Sequence, residues 1–89
     1  MPQDHASKLL VIVTPNFNIL ATTGLIDPLR AVNYLSGNTQ FTWVLASVSG
    51  GAVIASNGLS IETRALKEVV SDAFDIVVVS SSWTPEIFA

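Results

Sequence analysis

Two segments of the chain carry side chains that suit the binding of a small cationic molecule. They are Asn16 and Asp27 in the first segment, and Ser80, Ser81, Ser82 and Trp83 in the second. A carboxylate and the face of a tryptophan both attract an ammonium group, and the tryptophan contributes about 0.5 to 2 kcal/mol depending on desolvation. Hydroxyl and amide groups supply hydrogen bonds around such a ligand. The set therefore predicts a ligand-binding site for an amine.

Two of these residues also have ordinary structural interpretations. Asp27 precedes Pro28, and this pair is typical of a helix start in which Asp is the N-cap and Pro is the first helical residue. If the helix begins earlier, Pro28 instead marks a kink within it. Trp83 can form the wall of a pocket or pack beneath a following helix. Both interpretations of each residue remain open at this point.

The chain shows no residue pattern that is typical of nucleophilic catalysis or of a metal site. It has no cysteine, and its one histidine, His5, lies in a polar leader. A serine such as Ser81 therefore has no base to activate it. Gly50-Gly51 does not open a helix as a phosphate-binding loop would, and no metal-ligand spacing occurs. We expect no catalytic residue, no metal ion and no cofactor.

Three continuous apolar runs predict strands that are covered on both faces of a parallel sheet. They span residues 8–14 (KLLVIVT), 41–47 (FTWVLAS) and 75–79, within FDIVVV. Apolar residues at helical spacing predict a helix over 19–36 that ends at Gly37. We expect the first strand to lie between the other two. The carboxyl ends of the strands then share one edge, where ligands of such folds bind.

Two further elements are predicted between residues 50 and 75. Asn57-Gly58, between short apolar segments at 53–56 and 59–62, predicts a hairpin in which both central residues have positive φ. An amphipathic pattern predicts a second helix over 64–73, with Thr63 as its N-cap.

Composition and charge narrow the class of protein. Hydrophobic residues make up 49% and charged residues 12%, which predicts a folded core. A net charge of −3 without a Lys/Arg cluster disfavours direct binding of DNA or of anionic membranes. No apolar run approaches the roughly 18 residues of a membrane span, and residues 1–7 resemble no signal peptide. We expect a disordered tail at 1–7, one unit at 8–89 and a cytoplasmic location.

Most of the chain resembles the class I glutamine amidotransferase-like (PfpI-like) domain at the N-terminus of GlxA-type AraC-family transcription regulators. The resemblance rests on LLVIVTPNF (9–17), GLIDPLRAVN (24–33), the strand with Trp43, Gly50-Gly51, the hairpin at 56–59 and FDIVVV (74–79). Its most specific part is the acidic residue before Pro-Leu-Arg-Ala-x-Asn. This part is similar to regulators that respond to quaternary amines such as betaine and carnitine.

The resemblance implies a flavodoxin-like α/β fold, a three-layer αβα sandwich with a parallel sheet, of which this chain is the N-terminal half plus a small β-hairpin. It implies a ligand-sensing domain of a bacterial regulator that binds a small amine-containing effector. DNA would be bound only through a helix-turn-helix domain beyond this chain. The apolar free edge of the third strand predicts a homo-oligomer.

The alternative is a fragment of a PfpI-like hydrolase or deglycase. In such enzymes a carboxylate at the position of Asp27 stands beside a nucleophilic cysteine, which would lie beyond Ala89. Ser80-Ser81-Ser82 replaces two glycines that are frequent in the family, which disfavours an inherited oxyanion arrangement. A non-catalytic dimerisation module is compatible with either function.

Overall fold

The computed structural model describes residues 6–81, which form a five-stranded sheet with two helices. The elements are β1 (Ser7–Val13), α1 (Ile19–Ser36), β2 (Phe41–Ser47), β3 (Gly51–Ile54), β4 (Ser60–Ala65), α2 (Leu66–Val69) and β5 (Ile76–Ser80). The strand order is β3-β4-β2-β1-β5. Strand β1 is parallel to both of its neighbours, β2 and β5. The predicted central position of the first strand is therefore confirmed.

The predicted bounds of the long elements are correct to within one residue. Strand β1 begins at Ser7, one residue inside the predicted tail, and β5 is shifted by one residue to 76–80. Neither described helix has the length and hydropathy needed to cross a membrane.

Strand β1 supplies the core on both faces of the sheet. Because side chains alternate along a strand, Val11 and Val13 lie in one buried cluster and Leu10 in another. Leu25 of α1 packs against the first cluster, whereas Val69 of α2 belongs to the second. The two helices therefore cover opposite faces of the sheet.

Helix α1 has a defined start and a defined end. The Asn18 side chain accepts a hydrogen bond from the Ala21 amide (3.1 Å), and Gly37 ends the helix with a φ of 74°. The span 19–36 and the glycine stop are thus confirmed. Pro28 lies inside the helix, so the interpretation of Asp27 as an N-cap is wrong. Asn18, the residue directly before Ile19, takes that role.

The side chain of Asn33 joins the last part of α1 to the start of β2. Its Oδ1 accepts from the amides of Gln40 (2.7 Å) and Phe41 (3.0 Å), and its Nδ2 donates to the Phe41 carbonyl (2.9 Å). These three hydrogen bonds set where the chain enters the sheet.

Strands β3 and β4 form the predicted hairpin, but its turn differs from the expectation. The Ala55 amide donates to the Leu59 carbonyl (2.6 Å) and the Gly58 amide to the Ala55 carbonyl (3.0 Å). Gly58 has a φ of 90°, whereas Asn57 does not have positive φ. The prediction of positive φ at both residues is wrong, because a three-residue loop needs only one left-handed residue.

Helix α2 is much shorter than predicted. It spans Leu66–Val69, and the predicted N-cap Thr63 is a buried residue of β4. Strand β4 continues to Ala65 because it pairs in parallel with the end of β2, where Ser47 lies opposite Ala65. The local periodicity of residues 64–73 could not reveal this long-range pairing.

Candidate functional site

The carboxyl ends of β1, β2 and β5 meet at one edge of the sheet, called here the carboxyl edge. Residues 14–17 follow β1, residues 48–50 follow β2, and Ser81 follows β5. The Thr14 amide donates to the Ser80 carbonyl (3.1 Å), so the Asn16 and Ser80 segments are neighbours. The structure brings these two predicted segments together, and their role in ligand binding stays a prediction.

The loop after β1 is held by the hairpin. Asn16 adopts the left-handed conformation with a φ of 63°, which asparagine tolerates better than most residues. Its amide donates to the Ile54 carbonyl (2.8 Å), and the Phe17 carbonyl accepts from the Ser56 amide (2.9 Å). Phe17 is fully buried, whereas the Asn16 side chain is exposed. The loop therefore presents the side-chain amide of Asn16 to solvent from a backbone held by hydrogen bonds.

The Ser80 hydroxyl is part of an internal hydrogen-bond chain. It lies 2.7 Å from the Thr22 hydroxyl, and Thr22 Oγ1 donates its proton to the Asn18 carbonyl (2.9 Å). Since a hydroxyl has one proton, Ser80 must be the donor to Thr22. Ser80 can therefore offer a ligand only its acceptor lone pairs.

Asp27 lies away from the loops of the carboxyl edge. It is eight residues into α1 from Ile19, which corresponds to roughly 12 Å along the helix axis. Its side chain is exposed, and its Oδ1 lies 3.8 Å from Arg30 Nε. A long, solvent-exposed ion pair of this kind contributes little to stability.

The remaining predicted residues are only partly placed. Ser81 is exposed at the end of β5. Ser82 and Trp83 lie outside the described residues, so the structure does not place the aromatic part of the predicted set. Within residues 6–81, no three His, Cys, Asp or Glu side chains lie close enough together to hold a metal ion.

A second chain of hydroxyl hydrogen bonds, which was not predicted from the sequence, fixes the loop after β2. Gly50 donates its amide proton to Ser47 Oγ (3.0 Å), and the Ser47 and Thr63 hydroxyls are 2.6 Å apart. Thr63 Oγ1 donates to the Gly51 carbonyl (2.7 Å), so Ser47 is the donor to Thr63. The sequence signals for this chain of hydrogen bonds are weak: Ser47 ends the apolar run at 41–47, and Thr63 follows the short segment at 59–62.

A cleft of about 460 Å³ opens at the carboxyl edge, on the β2 side of β1. It is lined by residues 13–16, 47–50 and 52–54. Asn16 contributes to this lining, whereas Asp27, Ser80 and Ser81 do not. The predicted residues are thus divided between the cleft, the β1–β5 boundary and the exposed surface of α1.

The sequence is similar to bacterial transcription regulators, although no family model matches it. It is 29% identical over 85 residues to the HTH-type transcriptional regulator CdhR of Pseudomonas aeruginosa, covering 96% of this chain and 24% of that protein. It is 36% identical over 50 residues to the HTH-type transcriptional regulator GbdR of the same species, covering 56% of this chain and 14% of that protein.

The fold is similar to that of an AraC family transcriptional regulator from Pseudomonas putida. The TM-score is 0.77 at 22% identity, over 85% of this chain and 40% of the other. The chain spans about a quarter or less of the length of the curated relatives. Its curated relatives are therefore HTH-type transcriptional regulators, and the likeness to the AraC family regulator is one of fold.

Proposed function

We propose that this chain forms the effector-sensing part of an AraC-type transcription regulator. The observation that most supports it is the order of the parallel strands, β2-β1-β5, with α1 and α2 on opposite faces. This order corresponds to the first three strands of a flavodoxin-like sheet, in which the ligand binds at the boundary between the first strand and the third. The proposed fold is accordingly the N-terminal half of a flavodoxin-like, PfpI-like domain of the GlxA type.

In this proposal the effector binds at the carboxyl edge near the β1–β5 boundary. The loop that carries Asn16 and the ends of β1 and β5 are joined there through Thr14 and Ser80. The effector is a small amine such as betaine or carnitine, and Trp83 is the aromatic group proposed to attract its charge. Asp27, roughly 12 Å along α1 from Ile19, is proposed to attract the same charge from a longer distance. The contact between Asp27 and Arg30 is long and exposed, so it competes little with a ligand for the carboxylate.

The regulatory step is a shift between two states of the protein. An effector that binds one state more tightly raises the population of that state, and a DNA-binding domain outside this chain responds. The net charge of −3 supports the assignment of effector binding to this chain and of DNA binding to another domain, since DNA binding needs concentrated positive charge. The names of the relatives favour regulation over the hydrolase or deglycase alternative.

Calorimetric titration of the protein with betaine and carnitine tests the effector proposal. We expect Trp83→Ala to weaken binding of the active amine about tenfold, and Asp27→Asn to weaken it by a smaller factor because its charge is distant and exposed. Asp72→Asn is the matched control, because Asp72 is an exposed carboxylate after α2. If the wild type binds neither amine, or if both site variants keep the wild-type affinity, the amine proposal is wrong.

The proposal also includes self-association through β5. Within residues 6–81, β5 pairs with β1 only, and its Val77 and Val79 side chains are exposed. An apolar edge strand of this kind can pair with the same strand of a second copy.

A further inference from the structure

The cleft on the β2 side of β1 has rims that are fixed before any ligand arrives. On one rim, the Asn16 amide is bonded to the Ile54 carbonyl (2.8 Å). On the other, Gly50 is bonded to Ser47 Oγ and packs so closely that an added Cβ would lie 2.8 Å from the Ala65 nitrogen. A preformed cleft binds with a small ordering cost, because its loops are already in place.

The lining of the cleft is apolar with neutral polar groups. Val13 and Val53 are buried at its base, and Val48 and Ile54 are more than half exposed. The polar side chains are hydroxyls and one amide, contributed by Thr14, Asn16, Ser47 and Ser49. Among the described lining residues, none carries a charge.

We propose that this cleft binds an uncharged small molecule with an apolar body and one amide or hydroxyl group. A charged ligand would lose hydration there without gaining an opposite charge, which is unfavourable. The volume of about 460 Å³ falls within the range of roughly 300 to 1,000 Å³ that is typical of ligand pockets. The cleft adjoins the proposed amine site at the loop of Thr14 and Asn16, but it lies on the β2 side of β1, whereas the amine site lies on the β5 side.

Three probes of similar size and shape differ in charge: benzamide is neutral, benzoate is an anion and benzylamine is a cation. Their binding is followed in ¹H–¹⁵N NMR spectra of the protein. We expect benzamide to shift the amide signals of Asn16 and of residues 48–50, and to bind at least tenfold more tightly than the two charged probes. Equal binding of all three probes, or benzamide shifts confined to other regions, would overturn the proposal.

Two variants locate the binding. Ala52→Phe fills the cleft from β3 and should abolish benzamide binding, whereas Ala73→Phe, at an exposed position outside the cleft lining, should not. Val48→Asp places a carboxylate on an exposed part of the lining, so it should weaken benzamide binding and strengthen benzylamine binding. The Val48→Asp variant tests the preference for the neutral probe separately, so the test remains valid even if Ala52→Phe does not fold. Unchanged benzamide affinity in Val48→Asp contradicts the proposal, whatever the outcome of the betaine and carnitine titrations.

Discussion

The Ser80 hydroxyl donates a hydrogen bond to the Thr22 hydroxyl across 2.7 Å, although the residues are 58 positions apart in the sequence. It joins the carboxyl end of β5 to the first turn of α1. The Thr22 hydroxyl in turn donates a hydrogen bond to the Asn18 carbonyl, so the chain of hydrogen bonds ends at the N-cap of α1. A ligand at the β1–β5 boundary that moves the end of β5 would therefore also move the first turn of α1, and the reverse.

Replacing Thr22 by valine removes this link while keeping the side-chain shape. Thr22 is 3% exposed, and the change leaves the Ser80 hydroxyl without its acceptor. We expect the free energy of unfolding, measured by urea denaturation, to fall by about 1 to 2 kcal/mol. Thr23→Val is the control, because Thr23 is exposed and bonds only to carbonyls of its own helix. Equal losses in the two variants would show that the Ser80 contact is not the cause.

The sequence predicted the strands and α1 well because their signals are local. The run at 8–14 is apolar on both faces, and Gly37 stands where a left-handed residue must end the helix. The helix predicted over residues 64–73 was wrong in its length. Arg64 and Ala65 pair with β2 instead, and this pairing outweighs the helical spacing of Leu66 and Val69. The length of β4 is thus set by a contact that no local pattern contains.

The candidate site was predictable only in part, for the same reason. The positions of Asn16 and Ser80 at one edge follow from parallel strands alone. The partners of their polar groups do not, since Ile54 and Thr22 come from other elements. Asp27 suits a cation by residue type, but it lies eight residues beyond Ile19, where α1 starts, which places it roughly 12 Å along the helix axis from the carboxyl edge.

Alanine substitutions at Gly50 and Gly51 separate two costs to stability, that of a positive φ and that of a clash between an added Cβ and neighbouring backbone. Both glycines have a φ of 75°, but an added Cβ at Gly51 meets nothing within 4 Å, whereas at Gly50 it lies 2.8 Å from the Ala65 nitrogen. We expect Gly51→Ala to lower the free energy of unfolding by about 1 to 2 kcal/mol. Gly50→Ala should cost a further 1 to 3 kcal/mol or so, because backbone must move. Similar urea midpoints for both variants would contradict this packing.

Asn33 belongs to the most specific part of the family resemblance, and its role in the structure is architectural. We expect Asn33→Ala to lower the free energy of unfolding by about 2 to 3 kcal/mol, because amides of Gln40 and Phe41 lose their acceptor. Asn38→Ala, in the exposed turn that follows α1, should change it by less than about 0.5 kcal/mol. Thermal unfolding followed by circular dichroism compares the two. A stable Asn33→Ala variant would show that the end of α1 is held in another way.

The edge of β5 gives a test of self-association. Val79 is 62% exposed and lies opposite Ile12, on the sheet face that α2 covers near β2 and β4. If two copies pair through β5, Val79→Lys places like charges close together across the junction, and the charged edge resists pairing. Leu35→Lys is the matched control, because Leu35 is 81% exposed but lies on α1. Size-exclusion chromatography with light scattering should report a dimer for the wild type and for Leu35→Lys, and a monomer for Val79→Lys. A wild-type protein that remains monomeric at high concentration, or a dimer that only Leu35→Lys disrupts, would show that β5 is not the interface.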